Sequence, residues 1–307
     1  MTDVVAGVDI GGTNIAAGLV DESGEVVASP CEVPTPAAAG PRAVLHAAVE
    51  LVRALVASAK GDALSLVGAG VGCGGVIDPS QGVVLSSTDA ISGWTGTNVR
   101  AALADQLTVP VAVDNDIHAH ALGEAWRSDK PVESLLFVAI GTGIGGSIVL
   151  RGEVLHGRRW VAGHLGHLPA PEAGDRRCPC GGRGHLESIA SGPAMVSAYD
   201  DRGGDGLADL AEVVTRAESG DLLARAVLEE GAAAVGSAIG GMVNVLSPHL
   251  VLVGGGVPET GALWWEPMWA AEQRAVLSLV ADTPIRPAAL GKRAAVVGAA
   301  KLCWDVL

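Results

Sequence analysis

Aromatic side chains are scarce: among 307 residues there are one Phe and one Tyr, so Ala, Val and Leu have to build the core, and seven Trp carry most of the aromatic surface. Basic residues are scarce as well. Twenty Lys plus Arg stand against 34 Asp plus Glu, a formal net charge of −14. A nucleic-acid binder replaces counterions with Lys and Arg, and an anionic membrane surface attracts basic segments. Without a basic cluster, neither nucleic acid nor membrane is an expected partner. Only four Lys exist, Lys60, Lys130, Lys292 and Lys301, and none adjoins a glycine-rich motif. A phosphate-bearing ligand would therefore rest on backbone N–H groups and a metal ion. The first twelve residues, MTDVVAGVDIGG, lack a basic region and carry Asp3 and Asp9, which does not read as a signal peptide. Five Cys are an odd number, and without an export signal they argue against a disulfide framework. The expected compartment is the cytoplasm. Cys31, Cys73 and Cys303 are expected to pack singly in the interior. Charge is also missing from 231–258, a stretch long enough to cross a bilayer. It contains Ser237, Asn244, Ser247, Pro248 and His249, and divides into an Ala/Gly helix and the strand HLVLV. A buried helix followed by a buried strand is the expected arrangement.

What is present points to a globular α/β chain. At 49% apolar and 18% charged it is too hydrophobic for disorder, and its length suits about two domains. Gly, at 43, is about double ordinary usage and has no collagen-like period, so it belongs to special turns. VVAGVDI reads as a buried strand, NIAAGLV as a second and EVVAS as a third. Pro41 to Lys60 reads as a helix, with Pro41 at its first position, apolar residues at helical spacing and Gly61 as the stop. SLVGAGVG is a strand, 99–107 a helix and VPVAVD a strand. A second round begins with LLFVAI, the turn GTGIGG, SIVL and the strand EVLHG, and long helices follow from about Ala194. GVDIGGTNIAAGLV and VAIGTGIGGSIVL share one layout, which implies a duplicated architecture with one phosphate loop per half.

Two stretches match G-x-G-x-x-G, at Gly141, Gly143, Gly146 and at Gly70, Gly72, Gly75. Neither opens a helix, as a dinucleotide site requires. Asp9-Ile10-Gly11-Gly12-Thr13 is more specific. Gly11 and Gly12 can take φ > 0 and let a phosphate approach, successive N–H groups make an anion nest, and Thr13 adds a hydroxyl. Asp9 would repel phosphate unless Mg²⁺ stood between them. Asp114-Asn115-Asp116 ends a strand, where a carboxylate can accept a hydroxyl proton or an Asx side chain can cap the next helix. His167, Cys178, Cys180 and His185 are four donors within nineteen positions, a set that suits tetrahedral Zn²⁺. His118 and His120, two apart, point to different faces. Trp264, Trp265 and Trp269 suit a core or a dimer contact.

In order along the chain, D-x-G-G-T, D-N-D, G-T-G-x-G-G, G-H with C-x-C-G-x-x-G, and S-G-P-A closely resemble the ROK family of repressors and sugar kinases. The resemblance implies the actin-like, RNase-H-like ATPase fold: two α/β domains, 1–116 plus about 291–307 and 117–290, with an active-site cleft. Family repressors carry an N-terminal DNA-binding domain, and with the first loop at Asp9 the kinase branch is implied. The implied activity is Mg²⁺- and ATP-dependent transfer to the primary hydroxyl of a hexose or hexose-like polyol, by a homodimer or homotetramer. Asp116 takes the role of base. Gly11, Gly12, Thr13 and Asn14, with Gly141, Thr142 and Gly143, would hold phosphates. Asp9 would orient Mg²⁺ through water, and Gly254, Gly255 and Gly256 would approach adenosine. Gly75, Asn115, His164, His167 and Glu187 would face the substrate. In the family a His and three Cys hold a structural Zn²⁺; here His167, Cys178 and Cys180 are joined by His185 in the third Cys position. Where relatives usually read Glu-x-Gly-His, this chain reads His164-Leu165-Gly166-His167, and Ala90 and Gly74 replace a usual Asn and Pro. These departures imply a substrate other than plain glucose, such as a C7-cyclitol or an amino sugar of the kanosamine type, with glucose as the alternative. A non-catalytic sugar sensor of the same fold would need neither Asp9 nor Asp116.

Overall fold

The computed structural model describes residues 2–59, 64–128 and 132–307. The chain opens on β1 (Thr2–Ile10), β2 (Asn14–Val20) and β3 (Val26–Pro34), then α1 (Pro41–Ser58), β4 (Leu64–Cys73), the short pair β5 (Val76–Asp78) and β6 (Val83–Ser86), α2 (Val99–Leu107), β7 (Val111–Asn115) and α3 (Asp116–Trp126). A second round runs β8 (Ser134–Ile140), β9 (Ile144–Leu150), β10 (Glu153–Val154), α4 (Glu187–Ala190), α5 (Gly192–Asp201), α6 (Leu210–Glu218), α7 (Leu222–Leu246), β11 (Leu250–Gly254), α8 (Ala262–Ala275), β12 (Ile285–Pro287) and α9 (Arg293–Trp304). The two five-stranded sheets repeat one order, β3-β2-β1-β4-β7 and β10-β9-β8-β11-β12. In both, a hairpin lies beside parallel strands: β1, β4 and β7 run parallel, as do β8, β11 and β12. The duplication read from the two glycine hairpins is thus written into the strand order.

The first sheet is covered on both faces, as parallel strands require. One side packs on α1 and α2 through Val44, Leu45, Val52, Leu55, Val99 and Leu103. The other packs on α9 through Val296, Ala300 and Cys303. Where aromatics are few, small residues let backbones close up. A Cβ on Gly123 of α3 would come 2.1 Å from the Ala294 carbonyl oxygen of α9.

That contact bears on the domain division. The chain forms two compact units, one of 1–132, 148–162 and 289–307, the other of 133–147 and 163–288. The sequence placed α3 and 148–162 in the second half. Instead α3 packs on α9, and buried Glu124 accepts the N–H groups of Ala289 and Leu290, so both belong to the first unit. Further differences are local. Of EVLHG only Glu153–Val154 pairs as strand, because the chain turns at His156, whose carbonyl accepts the Ala162 N–H. Cys31 is exposed rather than packed, since β3 is the edge strand of its sheet. Gly61 lies outside the described residues. The uncharged stretch divides as expected: α7 ends at Leu246, Ser247 turns with φ 45°, and β11 begins at Leu250. By length and composition α7 could cross a membrane. It is instead lined by α8, where a Cβ on Gly236 would meet the Met268 carbonyl oxygen at 2.1 Å.

Candidate active site

Three parallel strands of the first sheet finish together. Ile10 of β1 stands beside Cys73 of β4, and Cys73 beside Asn115 of β7. Ligands of open α/β sheets bind outside such carboxyl ends. The register therefore gathers Asp9, Asp114, Asn115 and Asp116 at one edge of the sheet. Asp9 keeps some solvent access, yet the surrounding protein desolvates its carboxyl and Asp116 adds like charge, so its pKa rises from 3.8 to about 7. Desolvation also raises Asp116, against the opposing Ile117 N–H. Asp116 Oδ1 accepts that N–H at 2.9 Å, while Oδ2 faces Gly74, 3.9 Å from where a Cβ would stand. The buried Cys73 thiol is pushed up by burial and by all three aspartates.

Beside them runs the turn Gly11–Asn14. It is closed by Gly11 N–H on the Asn14 carbonyl at 3.0 Å and braced by Thr35, whose hydroxyl donates to the Gly11 carbonyl at 2.7 Å. Gly12, Thr13 and Asn14 are exposed. Neither Gly11 nor Gly12 adopts the left-handed conformation that the sequence suggested. The glycines serve by their size: a Cβ on Gly12 would stand 3.1 Å from the Ala90 Cβ. Left-handed backbone occurs at Gly75 instead, with φ +112° and a Cβ position 2.6 Å from the Ser86 carbonyl oxygen. Asn115 proves to be the N-cap of α3, its Oδ1 accepting from Ile117 and His118 N–H, and its Nδ2 donates to the Gly75 carbonyl at 2.9 Å. The Asn115 side chain also hydrogen-bonds the Asp116 carboxyl and lowers its pKa against the effect of burial.

Sequence reading missed the neighbour of this edge. Asp114, 1% exposed, holds two imidazoles, His118 Nδ1 on Oδ1 at 2.9 Å and His156 Nε2 on Oδ2 at 2.7 Å. Burial raises its pKa, but these hydrogen bonds and the charges of both His outweigh it and bring Asp114 down to about 2. His118 was visible at a helical i, i+4 spacing from Asp114. His156, 42 positions away, left no local signal.

In the second unit, the turn after β8 is closed by the Gly141 N–H on the Gly143 carbonyl at 2.9 Å, with the Gly141 carbonyl accepting from Gly192 N–H at 2.8 Å. Thr142 is exposed, and a Cβ on Gly141 would meet nothing within 4 Å. Glu187 Oε2 accepts the Ile144 N–H at 2.8 Å and fills the space where a Gly143 Cβ would be. After β11, Gly254 is buried while Gly255 and Gly256 are exposed. Gly255 has φ +92°, and its Cβ would lie 2.2 Å from the Ile140 carbonyl oxygen. Trp264 is fully buried and Trp269 is 41% exposed, with Trp265 donating to the Pro258 carbonyl.

The donor atoms of His167, Cys178, Cys180 and His185 lie within 4.8 Å of one another. Cys178 Sγ is 3.7 Å from His167 Nδ1, and Cys180 Sγ is 3.3 Å from His185 Nδ1. Two thiols and two imidazoles at this spacing fit a tetrahedral Zn²⁺ with bonds of about 2.0–2.3 Å. Burial first, and then the neighbouring thiol and Glu187, push the Cys178 thiol to about 11, and a bound metal cation would oppose that shift. Glu187 Oε1 accepts from Cys178 at 3.8 Å, so one carboxylate joins the cluster to the glycine turn. His164 sits at the head of the same short 3-10 turn, its ring 6.1 Å from that of His167.

Known proteins are similar in sequence and fold. A glucokinase of Halalkalibacterium halodurans is 30% identical over 310 residues, covering 95% of this chain and 92% of that one. A ROK hexokinase from Thermus thermophilus superposes with TM-score 0.86 at 32% identity, covering 99% of each chain. A ROK family glucokinase from Streptomyces griseus, solved with glucose and AMPPNP, superposes with TM-score 0.77 at 29% identity, covering 97% and 98%. The ROK family profile matches residues 5–306. With the duplicated sheets, both glycine turns and the Cys/His loop spread over that whole length, this chain belongs to the ROK family.

Proposed function

We propose that this chain is an ATP-dependent kinase that transfers the γ-phosphate to the primary hydroxyl of a hexose or hexose-like polyol. The observation that carries the reading is the pair Asp9 and Asp116. Two carboxylates of raised proton affinity stand at the carboxyl ends of β1 and β7, with β4 between them, beside an open glycine turn. Phosphoryl transfer needs little covalent help; it needs positioning, charge neutralisation and an acceptor for the hydroxyl proton. Asp116 Oδ2, which the Ile117 N–H does not take, suits that task. Its raised pKa brings its basicity toward the working pH, as a general base requires. Gly12 to Asn14 are exposed residues whose N–H groups suit phosphate oxygens, and the Gly141–Gly143 turn offers a second such cradle. Asp9, desolvated beside like charge, fits the neighbourhood of Mg²⁺, which when bound with the nucleotide would supply the positive charge this lysine-poor chain lacks there. Exposed Gly255 and Gly256 suit the adenosine face.

His167, Glu187, His164 and Asn115 are assigned to the sugar side. Zinc on His167, Cys178, Cys180 and His185 would pin the loop that carries Glu187. His164 presents one donor and one acceptor, whereas a carboxylate accepts from two hydroxyls at once. That favours a sugar or cyclitol that does not need a double acceptor at this position. The test is ADP release across a panel of hexoses, amino sugars and cyclitols, with and without Mg²⁺. Sugar-dependent, Mg²⁺-dependent release is expected. Release with no dependence on any acceptor would overturn the reading.

A further inference from the structure

We propose that His156 is a positioning residue for the base: through Asp114 it fixes the start of α3, and with it Asp116. The inference rests on the assignment of Asp116 above.

His156 belongs to 148–162, the stretch that joins the first compact unit although the chain on either side belongs to the second. Its ring is packed between two others. It meets His118 edge-on at 5.3 Å and 83°, and Trp160 at 5.7 Å and 78°. Trp160 has φ +62°, an arrangement in which a bulky side chain is strained. Such strain persists where the surroundings over-determine a residue, and it gathers at functional sites. Here it places the indole against His156.

The tautomers follow from the acceptor. Asp114 is held low and is ionised at any working pH, so its oxygens can only accept. His156 Nε2 and His118 Nδ1 must therefore both donate. Asp114 Oδ1 also takes the Asn115 N–H at 2.7 Å. Three donors thus converge on one buried carboxylate from β7, from α3 and from the 148–162 stretch. The residue after Asp114 caps α3, and the next is Asp116. Neither Asp114 nor His156 is assigned to substrate, yet together they set the angle at which α3 leaves β7. A misplacement of about 1 Å in a reacting group can cost on the order of 10²-fold in rate. The cluster needs no ion, because each imidazole already has its own carboxylate oxygen.

Kinetics of His156→Leu, His156→Gln, Asp116→Asn and the Leu/Asn double variant test this on the intact chain. His156→Leu removes the donor. His156→Gln returns an amide N–H near the Nε2 position. We expect His156→Leu to lower kcat about tenfold with sugar KM within about twofold, and His156→Gln to recover most of the loss. In the Asp116→Asn background His156→Leu should cost nothing further, because the two act through one group. An unchanged kcat in His156→Leu, or the same loss in both backgrounds, would overturn the proposal. Asp116→Asn at the wild-type rate would overturn the base assignment itself, and shows as a separate measurement. Elemental analysis adds another arm: a second zinc per chain that disappears in His156→Leu would make the cluster a metal site and sink the positioning role. Should His156→Leu fail to fold, His156→Asn, whose amide falls short of Asp114, replaces it with the same expected outcomes.

Discussion

The two hairpin turns share a strand–turn–strand layout and differ in charge. VDIGGT leaves β1 and VAIGTG leaves β8. Asp9 stands beside Gly72 of its parallel neighbour, and Ala139 beside Gly254 of its own. A carboxylate at the first turn thus becomes a methyl group at the second. The first turn adjoins Asp116 as well, and both acids hold protons more tightly than usual. At the second turn the acid comes from elsewhere: Glu187 reaches in from α4 and is tied to Ile144 N–H and Cys178. Duplication supplied two anion-sized turns. Two acids of raised proton affinity gather at one of them, and at the other the acid contacts a Cys/His cluster.

That contrast can be broken from either side. The largest effect is expected at the second turn. As purified, the protein should carry about one Zn²⁺ per chain, bound by four protein ligands as structural sites are. Cys180→Ser should lose it, and structural zinc binding is worth about 10–16 kcal/mol in small domains. Elemental analysis with thermal melting decides; zinc-free wild-type protein of undiminished stability contradicts the assignment. At the first turn, Asp116→Asn keeps the shape and removes the acceptor. Turnover should fall at least about 10²-fold, the low end for a positioned general base, with sugar binding little changed. Near-normal turnover by that variant would count against the role.

Smaller effects sharpen the picture. His164→Glu restores a double acceptor beside His167, and glucose kcat/KM should rise about tenfold, worth one good hydrogen bond. If glucose is already the best substrate and the change is neutral or harmful, the substrate inference is wrong. The smallest effect concerns pH. Asp9 is raised from 3.8 to about 7, so between those values the folded chain binds a proton that the unfolded chain has released. Stability contributed this way is present at low pH and is lost as pH rises through about 7. Without divalent metal, Tm should drop by a few degrees, about what one or two kcal/mol makes in a domain this size, as pH goes from 5 to 8. Asp9→Asn should flatten that slope. A wild-type Tm that climbs over the same range, or a slope that survives in Asp9→Asn, would argue otherwise.

Most strands and helices were legible because local chemistry announces them. Pro41 opens α1 at its first position, and Asn115 caps α3. Asp9, Asp116 and the Cys/His loop were legible because each motif is short and continuous. What the sequence concealed depends on partners far along the chain. Helix α3 read as part of the second half until its packing on α9, through Gly123 and Ala294, placed it in the first. His156 looked like the end of a strand, because its partner Asp114 lies 42 residues upstream. Cys31 looked like a core residue, because apolar character in β3 does not reveal that the strand lies at an edge. The glycines of the first turn were read as positions for φ > 0 and for close approach; neither takes φ > 0, while a Cβ on Gly12 would crowd Ala90.

The central claim is that γ-phosphate passes from ATP to a primary hydroxyl. Product analysis of the wild-type reaction with the best acceptor of the panel tests it directly, by ³¹P NMR beside ADP quantification. The account predicts one phosphomonoester formed per ADP, its phosphorus signal split by the two protons of a CH₂ group. Inorganic phosphate in place of the ester, an ester on a ring hydroxyl, or sugar binding with no ADP formed would contradict it.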